Sequence, residues 1–129
     1  MKKILILIFC IISFNAIAME KKTTFNKELF NKAQSDGKVV IVSSWIKYCS
    51  SCASQMKVLN QAKKDGKLLD VKFENIEYFS FDVTNKEIAN LFDVKFQTTL
   101  LIFKDNKEIY RSLGETTENL IYEALKKVI

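Results

Sequence analysis

The chain has 129 residues, with 20 lysines and arginines against 15 aspartates and glutamates and a formal net charge of +5. This length suits one domain with a single hydrophobic core, and the lysines form no basic block, so we expect no nucleic-acid partner. There is no histidine or proline and there are only three cysteines, so one chain cannot build a zinc site from cysteine and histidine alone, because such a site needs about four ligands.

Residues 1–18 have the pattern of a secretory signal peptide. A basic start precedes residues 4–12, which are apolar apart from the thiol of Cys10, and an A-x-A sequence ends at Ala18. The apolar segment is shorter than the roughly 20 residues that a membrane-spanning helix needs. We therefore predict cleavage after Ala18, which leaves one domain at residues 19–129. This predicts a periplasmic or secreted protein that contacts the membrane only if the signal stays uncleaved.

A helix followed by a buried strand is predicted at the start of the mature domain. Apolar residues recur at helical spacing over residues 25–33, with Thr24 or Asn26 as the N-cap and Gly37 at the end. Residues 38–44 contain a continuous run of valine and isoleucine. Such a run is typical of a strand that is buried on both faces.

Two cysteines, Cys49 and Cys52, stand where this strand gives way to a second helix, which apolar spacing predicts over about residues 50–64. A helix N-terminus favours an anion, and the thiolate is the nucleophile in disulfide exchange. Residues three apart share a helix face, so their Cα atoms should be about 5 Å apart, within reach of a disulfide. One cysteine can attack a substrate disulfide and the other can resolve the mixed disulfide.

A Cys-x-x-Cys pair has two other common uses. It can supply half of a zinc site, but the third cysteine, Cys10, lies in the predicted signal, so carboxylates or a second subunit would have to contribute. It can also form an inert structural disulfide, although closing so short a loop constrains the unfolded chain little. Because export places the pair where disulfides persist, redox chemistry is the favoured interpretation.

The rest of the chain alternates strands with helices. In order, the predictions are an ambiguous segment at 67–77, a strand at 78–83, a helix at 85–92, an apolar central strand at 98–103, a turn at 104–107, a strand at 108–112 and a helix after Gly114. Thr84 or Asn85 is expected to cap the first of these helices, and Thr116 or Thr117 the second. This order predicts an α/β sheet with helices on both faces, and we interpret most aromatic residues as core packing.

The chain resembles the thioredoxin family in two segments. Residues 45–52 read W-I-K-Y-C-S-S-C, which is similar to the active-site segment of that family, and residues 99–106 read T-L-L-I-F-K-D-N, which is similar to a second family segment. The resemblance extends over about residues 25–129. It implies a thioredoxin-like α/β fold with a central mixed β-sheet flanked by helices, and a monomer that exchanges disulfides with protein substrates without metal or cofactor. A redox partner would recycle the cysteine pair.

The resemblance also implies roles for single residues. Cys49 matches the attacking cysteine and Cys52 the resolving cysteine, which together form the redox-active disulfide. Trp45 and Tyr48 match aromatic residues beside the site, and the backbone of Gln97 matches the segment that pairs with a bound substrate strand.

Three positions depart from the family pattern. Thr98 replaces a cis-proline that faces the disulfide, and because a non-proline cis peptide costs about 2.5–4 kcal/mol, we expect a trans or strained peptide. Either the loop keeps its overall path, or the change alters substrate choice or opens the site to a metal. Ser43 replaces a buried acid, and a serine hydroxyl is not a useful base. The hydroxyls of Ser50 and Ser51 between the cysteines could both donate to a thiolate.

These residues predict an exported thiol–disulfide oxidoreductase, with reductase or isomerase chemistry favoured over oxidase chemistry. A second hypothesis is a non-catalytic peptide-binding module whose disulfide is structural. A third is a metal- or cluster-binding dimer in which each chain contributes Cys49 and Cys52.

Overall fold

A computed structural model describes residues 21–65 and 75–127. The predicted signal at 1–18 and most of the ambiguous segment at 67–77 lie outside these ranges. The described elements are α1 (Lys27–Ser35), β1 (Val39–Trp45), α2 (Ser50–Asp65), β2 (Ile76–Asp82), α3 (Lys86–Leu91), β3 (Thr99–Lys104), β4 (Lys107–Leu113) and α4 (Glu118–Lys126).

The four strands form one mixed sheet in the order β2-β1-β3-β4. Strand β1 pairs in parallel with β2 and antiparallel with β3, and β3 continues into the antiparallel partner β4. The central position predicted for the third strand is therefore confirmed, as is the mixed sheet flanked by helices. None of the helices in the described ranges is long and apolar enough to cross a bilayer.

The valine-isoleucine run of β1 supplies core residues to both faces of the sheet, because successive side chains of a strand point to opposite sides. Val39 and Ile41 pack on one face with residues of α2 and α4. Val40 and Val42 pack on the other face with residues of α3 and β2. Burial of each such side chain contributes about 1.5–3 kcal/mol, so this strand anchors the element that follows it.

A cluster of phenylalanines fills the second face, which confirms the interpretation of these aromatic residues as packing. Phe25 and Phe92 meet edge to face at 5.1 Å between ring centroids, and Phe30 meets Phe103 in the same way at 5.3 Å. Aromatic pairs prefer this geometry because the positive ring edge faces the negative ring face.

The sequence left two candidate N-cap residues for each of three helices, and the structure shows which residue occupies each N-cap. Asn26 caps α1, since its side chain accepts a hydrogen bond from the Leu29 N–H at 3.0 Å, whereas the Thr24 N–H donates to Ser80 O. Asn85 caps α3 in the same manner. Thr117 occupies the N-cap of α4 but its side chain makes no capping hydrogen bond.

The turn between β3 and β4 is tighter than the predicted turn at residues 104–107. Lys104 and Lys107 already belong to the strands, and only Asp105 and Asn106 lie between them. Both turn residues have positive φ, at 51° and 63°. This is the two-residue turn that matches the twist of a hairpin.

Candidate active site

The two cysteines form a disulfide at the point where the core strand leads into α2. Cys49 directly precedes the helix and Cys52 lies in its first turn, with their Cα atoms 5.3 Å apart, in agreement with the distance expected from the sequence. Cys52 is fully buried, whereas Cys49 is partly exposed. The Cys52 N–H donates to the Cys49 sulfur at 3.2 Å. The outer sulfur is therefore accessible to a substrate and is held by a backbone donor of the helix N-terminus.

The loop between β1 and the disulfide is braced by Lys21. Its ammonium group donates to the carbonyl oxygens of Ile46 at 3.1 Å and Cys49 at 2.9 Å. Within this loop Tyr48 adopts a left-handed conformation with φ of 63°. Sequence reasoning missed Lys21, because a contact over 28 residues leaves no local pattern.

The backbone of Thr98 faces the disulfide in a trans peptide, since no cis peptide bond occurs among residues 21–65 and 75–127. The expectation of a trans or strained bond is confirmed, and the chain accommodates it with φ of 59° at Thr98. The Thr98 N–H donates to Ser44 O at 2.8 Å, and the Thr98 carbonyl accepts from the Gly114 N–H at 2.9 Å. These bonds hold a β-branched residue in a conformation that costs about 1–3 kcal/mol.

Two buried polar side chains hold this turn, and neither was recognised in the sequence. The Gln55 amide donates to Thr98 O at 3.3 Å and to Glu115 O at 2.7 Å. The Ser44 hydroxyl donates to Phe96 O at 2.8 Å and accepts from the Thr99 N–H at 3.0 Å. The segment that faces the sulfurs is therefore fixed from both α2 and β1.

The side chain of Thr98 lies against both sulfurs and is only 3% exposed. Its Oγ1 atom is 3.1 Å from the Cys52 sulfur, 3.5 Å from the Cys49 sulfur and 3.0 Å from the Ser51 hydroxyl oxygen. Threonine in place of the proline ring thus still covers the two cysteine sulfurs. It places a hydroxyl group at hydrogen-bonding distance from the sulfur that is buried.

The two serines between the cysteines differ. The Ser51 hydroxyl lies 3.3 Å from the Cys49 sulfur. Among the described residues, no contact joins the Ser50 hydroxyl to either sulfur of the disulfide, so the expected donation to a thiolate has a contact behind it only for Ser51. Adjacent helix residues point about 100° apart, which agrees with a contact from one of the two serines.

Of the two aromatic residues predicted beside the site, one is buried and the other is exposed to solvent. Trp45 is 9% exposed and packs with Cys52 and Met56, and its indole N–H finds no acceptor among the described residues. Tyr48 is 91% exposed, and the Lys47 ammonium lies 5.1 Å from the centre of its ring. One ring therefore supports the buried sulfur, and the other projects into solvent beside the exposed sulfur.

Gln97 is exposed next to Thr98, and its backbone groups form no hydrogen bond within the described residues. Phe96 and Leu113, both more than half exposed, flank the same turn. The structure thus brings Thr98 to the disulfide, with Gln97 next to it in the chain and two exposed apolar side chains flanking the turn.

Ser43 lies in β1, where its hydroxyl group contacts a tyrosine of the neighbouring strand β2 instead of an acid. Its hydroxyl oxygen is 2.7 Å from the Tyr78 phenol oxygen, and both groups are buried. Burial raises the pKa of Tyr78 well above its usual range, and the hydrogen bond from Ser43 offsets only part of that rise. This pair is therefore neutral, and it offers no base at ordinary pH.

The described residues contain no group of three or more histidine, cysteine, aspartate or glutamate side chains that could hold a metal. A site shared by two chains requires only Cys49 and Cys52 from each, so that hypothesis depends on self-association and not on this count.

An exposed sulfur backed by a buried one, at a helix N-terminus on a mixed sheet, is the arrangement that thiol–disulfide exchange requires. The chain belongs to the thioredoxin family, whose family model, described as thioredoxin, matches residues 16–127. It is a thiol–disulfide oxidoreductase of that family, as its relatives also indicate. Thioredoxin-like proteins act on protein thiols and disulfides.

Similar proteins come from plants and bacteria. A thioredoxin H-type protein of Oryza sativa subsp. indica is 28% identical over 113 residues, which cover 87% of this chain and 86% of that protein. The thiol-disulfide oxidoreductase ResA of Bacillus thuringiensis subsp. konkukian (strain 97-27) is 26% identical over 111 residues, or 71% of this chain and 64% of that protein. The crystal structure of Trxlp from Edwardsiella tarda EIB202 has a TM-score of 0.67 at 23% identity, covers 78% of this chain and 94% of that chain, and supports the fold.

Proposed function

We propose that this protein is an exported thiol–disulfide oxidoreductase of reductase or isomerase type, in which Cys49 attacks the substrate and Cys52 resolves the mixed disulfide. The observation that carries this proposal is the difference in burial between the two sulfurs. Cys49 is partly exposed and Cys52 is fully buried. Only the first can reach a sulfur of another protein, while the second is held behind it for the intramolecular step.

The reaction transfers two electrons from the cysteine pair to a substrate disulfide. The Cys49 thiolate attacks one substrate sulfur, forms a mixed disulfide, and the other substrate sulfur leaves as a thiolate. Cys52 then attacks the Cys49 sulfur, which closes the internal disulfide and releases the second substrate thiol. A reducing partner returns the pair to the dithiol form. The Cys52 N–H, 3.2 Å from the Cys49 sulfur, is placed to stabilise the attacking thiolate.

The surface around the disulfide supports a polypeptide substrate. Tyr48 precedes Cys49 in the chain, and Phe96 and Leu113 flank the turn at Thr98; all three side chains are exposed and offer apolar contact area to a protein chain. The Gln97 backbone, which makes no hydrogen bond to any residue of 21–65 or 75–127, is available to an extended substrate segment. The backbone groups of Thr98 are already used within the protein, so pairing falls to Gln97.

Export and the domain limits belong to the same proposal. The pattern of residues 1–18 supports a signal peptide, with residues 19–129 as a monomeric mature domain. The intact mass of the protein recovered from the extracytoplasmic fraction identifies its N-terminal residue and tests this proposal. Cleavage after Ala18 is expected, and an intact Met1 on a cytoplasmic protein would contradict it.

The exchange roles are tested with Cys49→Ser and Cys52→Ser. We expect Cys49→Ser to abolish reduction of a disulfide-containing protein and Cys52→Ser to accumulate a mixed disulfide visible by mass spectrometry under non-reducing conditions. Exchange no faster than that of a free thiol, unchanged in Cys49→Ser, would contradict these roles and favour the peptide-binding module. Metal in protein purified without chelator, together with a dimeric mass, would instead favour the metal- or cluster-binding dimer.

A further inference from the structure

Two hydroxyl groups in contact connect the buried sulfur of Cys52 to the surface. The Cys52 sulfur is fully buried, and the Thr98 hydroxyl oxygen lies 3.1 Å from it. The same oxygen lies 3.0 Å from the hydroxyl oxygen of Ser51, a residue that is exposed to solvent. We propose that the Thr98 and Ser51 hydroxyls carry the proton of Cys52 to solvent during resolution. This inference rests on the proposed exchange function and assigns two further residues to it.

The resolving step needs such a path. Cys52 must lose its proton before it can attack, because the thiolate is the nucleophile. The fully buried Cys52 thiol has no surface in contact with bulk solvent, so its proton must first pass to a neighbouring group. At the position where the family has a buried acid, this chain has Ser43. Its hydroxyl bonds to that of Tyr78 at 2.7 Å, and neither hydroxyl is basic.

The ionisable groups on the segments packed around the pair do not provide a base either. Lys21 is engaged with the carbonyl groups of the loop, and Lys47 lies over an exposed ring. The Asp82 carboxylate accepts from both the backbone and the hydroxyl of Thr84. The Glu115 carboxylate accepts from a backbone N–H at the start of α4. Among the described residues, the Thr98 hydroxyl is the oxygen placed at hydrogen-bonding distance from the Cys52 sulfur.

The step balances as a proton relay coupled to disulfide formation. Thr98 Oγ1 accepts the Cys52 proton and passes its own to Ser51 Oγ, which passes its own proton to solvent. The Cys52 sulfur bonds to the Cys49 sulfur, and the bond between Cys49 and the substrate sulfur breaks. The electron pair of that bond leaves on the substrate sulfur, which takes a proton from solvent. The products are the internal disulfide, a substrate thiol and unchanged hydroxyl groups.

The two steps can be timed in one experiment on the reduced mature protein. Equimolar dithiobis-nitrobenzoate releases one coloured thiolate when Cys49 attacks and a second when Cys52 resolves the mixed disulfide. The first phase tests the proposed function and the second tests the relay. If the first phase is absent, the exchange proposal fails. If the first phase is normal in all variants, only the relay remains in question.

The variant Thr98→Val removes the hydroxyl and keeps the branched shape, and Thr98→Ser keeps the hydroxyl. We expect Thr98→Val to slow the second phase by about 100-fold at neutral pH, the lower end of the usual contribution of proton transfer to catalysis. The pH at which that phase reaches half its maximal rate should also rise. Thr98→Ser should resolve within about threefold of the wild type, since the oxygen that relays the proton is retained.

Thr99→Val is the matched control, because the Thr99 hydroxyl donates to Phe96 O at 2.8 Å and does not touch either sulfur. Ser51→Ala, at an exposed site, tests the outer member of the relay and should slow the second phase without loss of folding. The relay is overturned if Thr98→Val and Ser51→Ala resolve at the wild-type rate with the wild-type pH profile. If Thr98→Val does not fold, Ser51→Ala alone decides the question in the same way. An equal slowing in Thr99→Val would show a structural effect and would also overturn it.

Discussion

Ser43 stands where the family has a buried acid, and its hydroxyl forms a neutral contact with the phenol of Tyr78. The pairing of β1 with β2 places the two side chains on neighbouring strands, and their hydroxyl oxygens are 2.7 Å apart. Both side chains are buried, so neither hydroxyl can turn to water in place of its partner. The loss of either partner leaves a buried polar atom unsatisfied, which costs about 1–3 kcal/mol.

Tyr78→Phe should change how stability depends on alkaline pH. Burial raises the pKa of the Tyr78 phenol, so the folded protein keeps a proton that the unfolded chain loses above about pH 10. The unfolded state then binds fewer protons, and the free energy of unfolding falls with rising pH by up to about 1.4 kcal/mol per unit. Urea denaturation of the wild type and Tyr78→Phe across this range measures the difference.

In Tyr78→Phe, the part of the fall in the free energy of unfolding above about pH 10 that comes from the phenol should be absent. Ser43→Ala, which retains the phenol, should keep that part. Parallel curves for the wild type and Tyr78→Phe would show that the phenol titrates alike in both states and would contradict the assigned cause.

Local pattern explains only part of the site at this scale. The cysteines, Trp45 and the trans peptide at Thr98 could be predicted, because each lies in a recognisable segment or follows from the chemistry of proline. The hydroxyl contacts of Thr98 and the brace from Lys21 could not, because they join residues 25–49 positions apart.

The junction of β1 and α2 fixes the geometry of the exchange site. Strand β1 is buried along its whole length, so its end is a fixed point from which the loop and helix start. Cys49 is the last residue of the loop, and Cys52 lies in the first turn of α2. The position of the sulfurs therefore depends on strand packing more than on the intrinsic stability of α2.

The β3–β4 turn holds an asparagine in a conformation that glycine adopts more easily. Asn106 has φ of 63° in a turn where the second position favours glycine. Asn106→Gly should stabilise the protein by about 0.5 kcal/mol, because glycine adopts this conformation without steric cost. The Asn106 N–H bond to the Gln34 side chain is a backbone contact and is kept.

Chemical denaturation of Asn106→Gly with Asn106→Ala as the control measures this effect. Alanine tolerates positive φ less well than asparagine, so Asn106→Ala should lower the free energy of unfolding. A glycine variant no more stable than the alanine variant would show that backbone conformation does not limit this turn.

The type and order of the elements could be predicted where periodicity was strong. The strands at 38–44 and 98–103 and the helix at about 50–64 agree with the structure to within one residue at each end. Tertiary contacts decide the other ends: Thr24 is a suitable residue type for the N-cap of α1, but its N–H pairs with Ser80 O. The segment at 67–77 had no clear period, and its larger part lies outside the described residues.

At the scale of the whole molecule, the sheet separates a structural side from a reactive end. Its two faces are covered by separate hydrophobic clusters, and neither cluster includes the cysteine pair. The pair packs in a small third cluster with Trp45 and Met56 at the end of β1. A change of redox state can therefore alter the site while the main core stays packed.

The strand order could be inferred from the resemblance to the thioredoxin family, but periodicity alone could not give it. A run of valine and isoleucine predicts burial on both faces, yet it does not tell which strands lie on either side of β1. That choice depends on the long crossover through α2, which brings β2 parallel to β1, and on the hairpin that adds β4. Pairing over such distances is decided by the packing of the whole chain.

The most direct test of the account is the reduction potential of the Cys49–Cys52 disulfide, measured by equilibration with thiol buffers and mass spectrometry of the trapped thiols. An exchange enzyme requires a pair that is reduced and oxidised reversibly, so we predict one two-electron transition between about −270 and −120 mV, with the reductase end favoured. A disulfide that stays oxidised below about −300 mV would be structural and would contradict the assignment of this pair as the exchanging group.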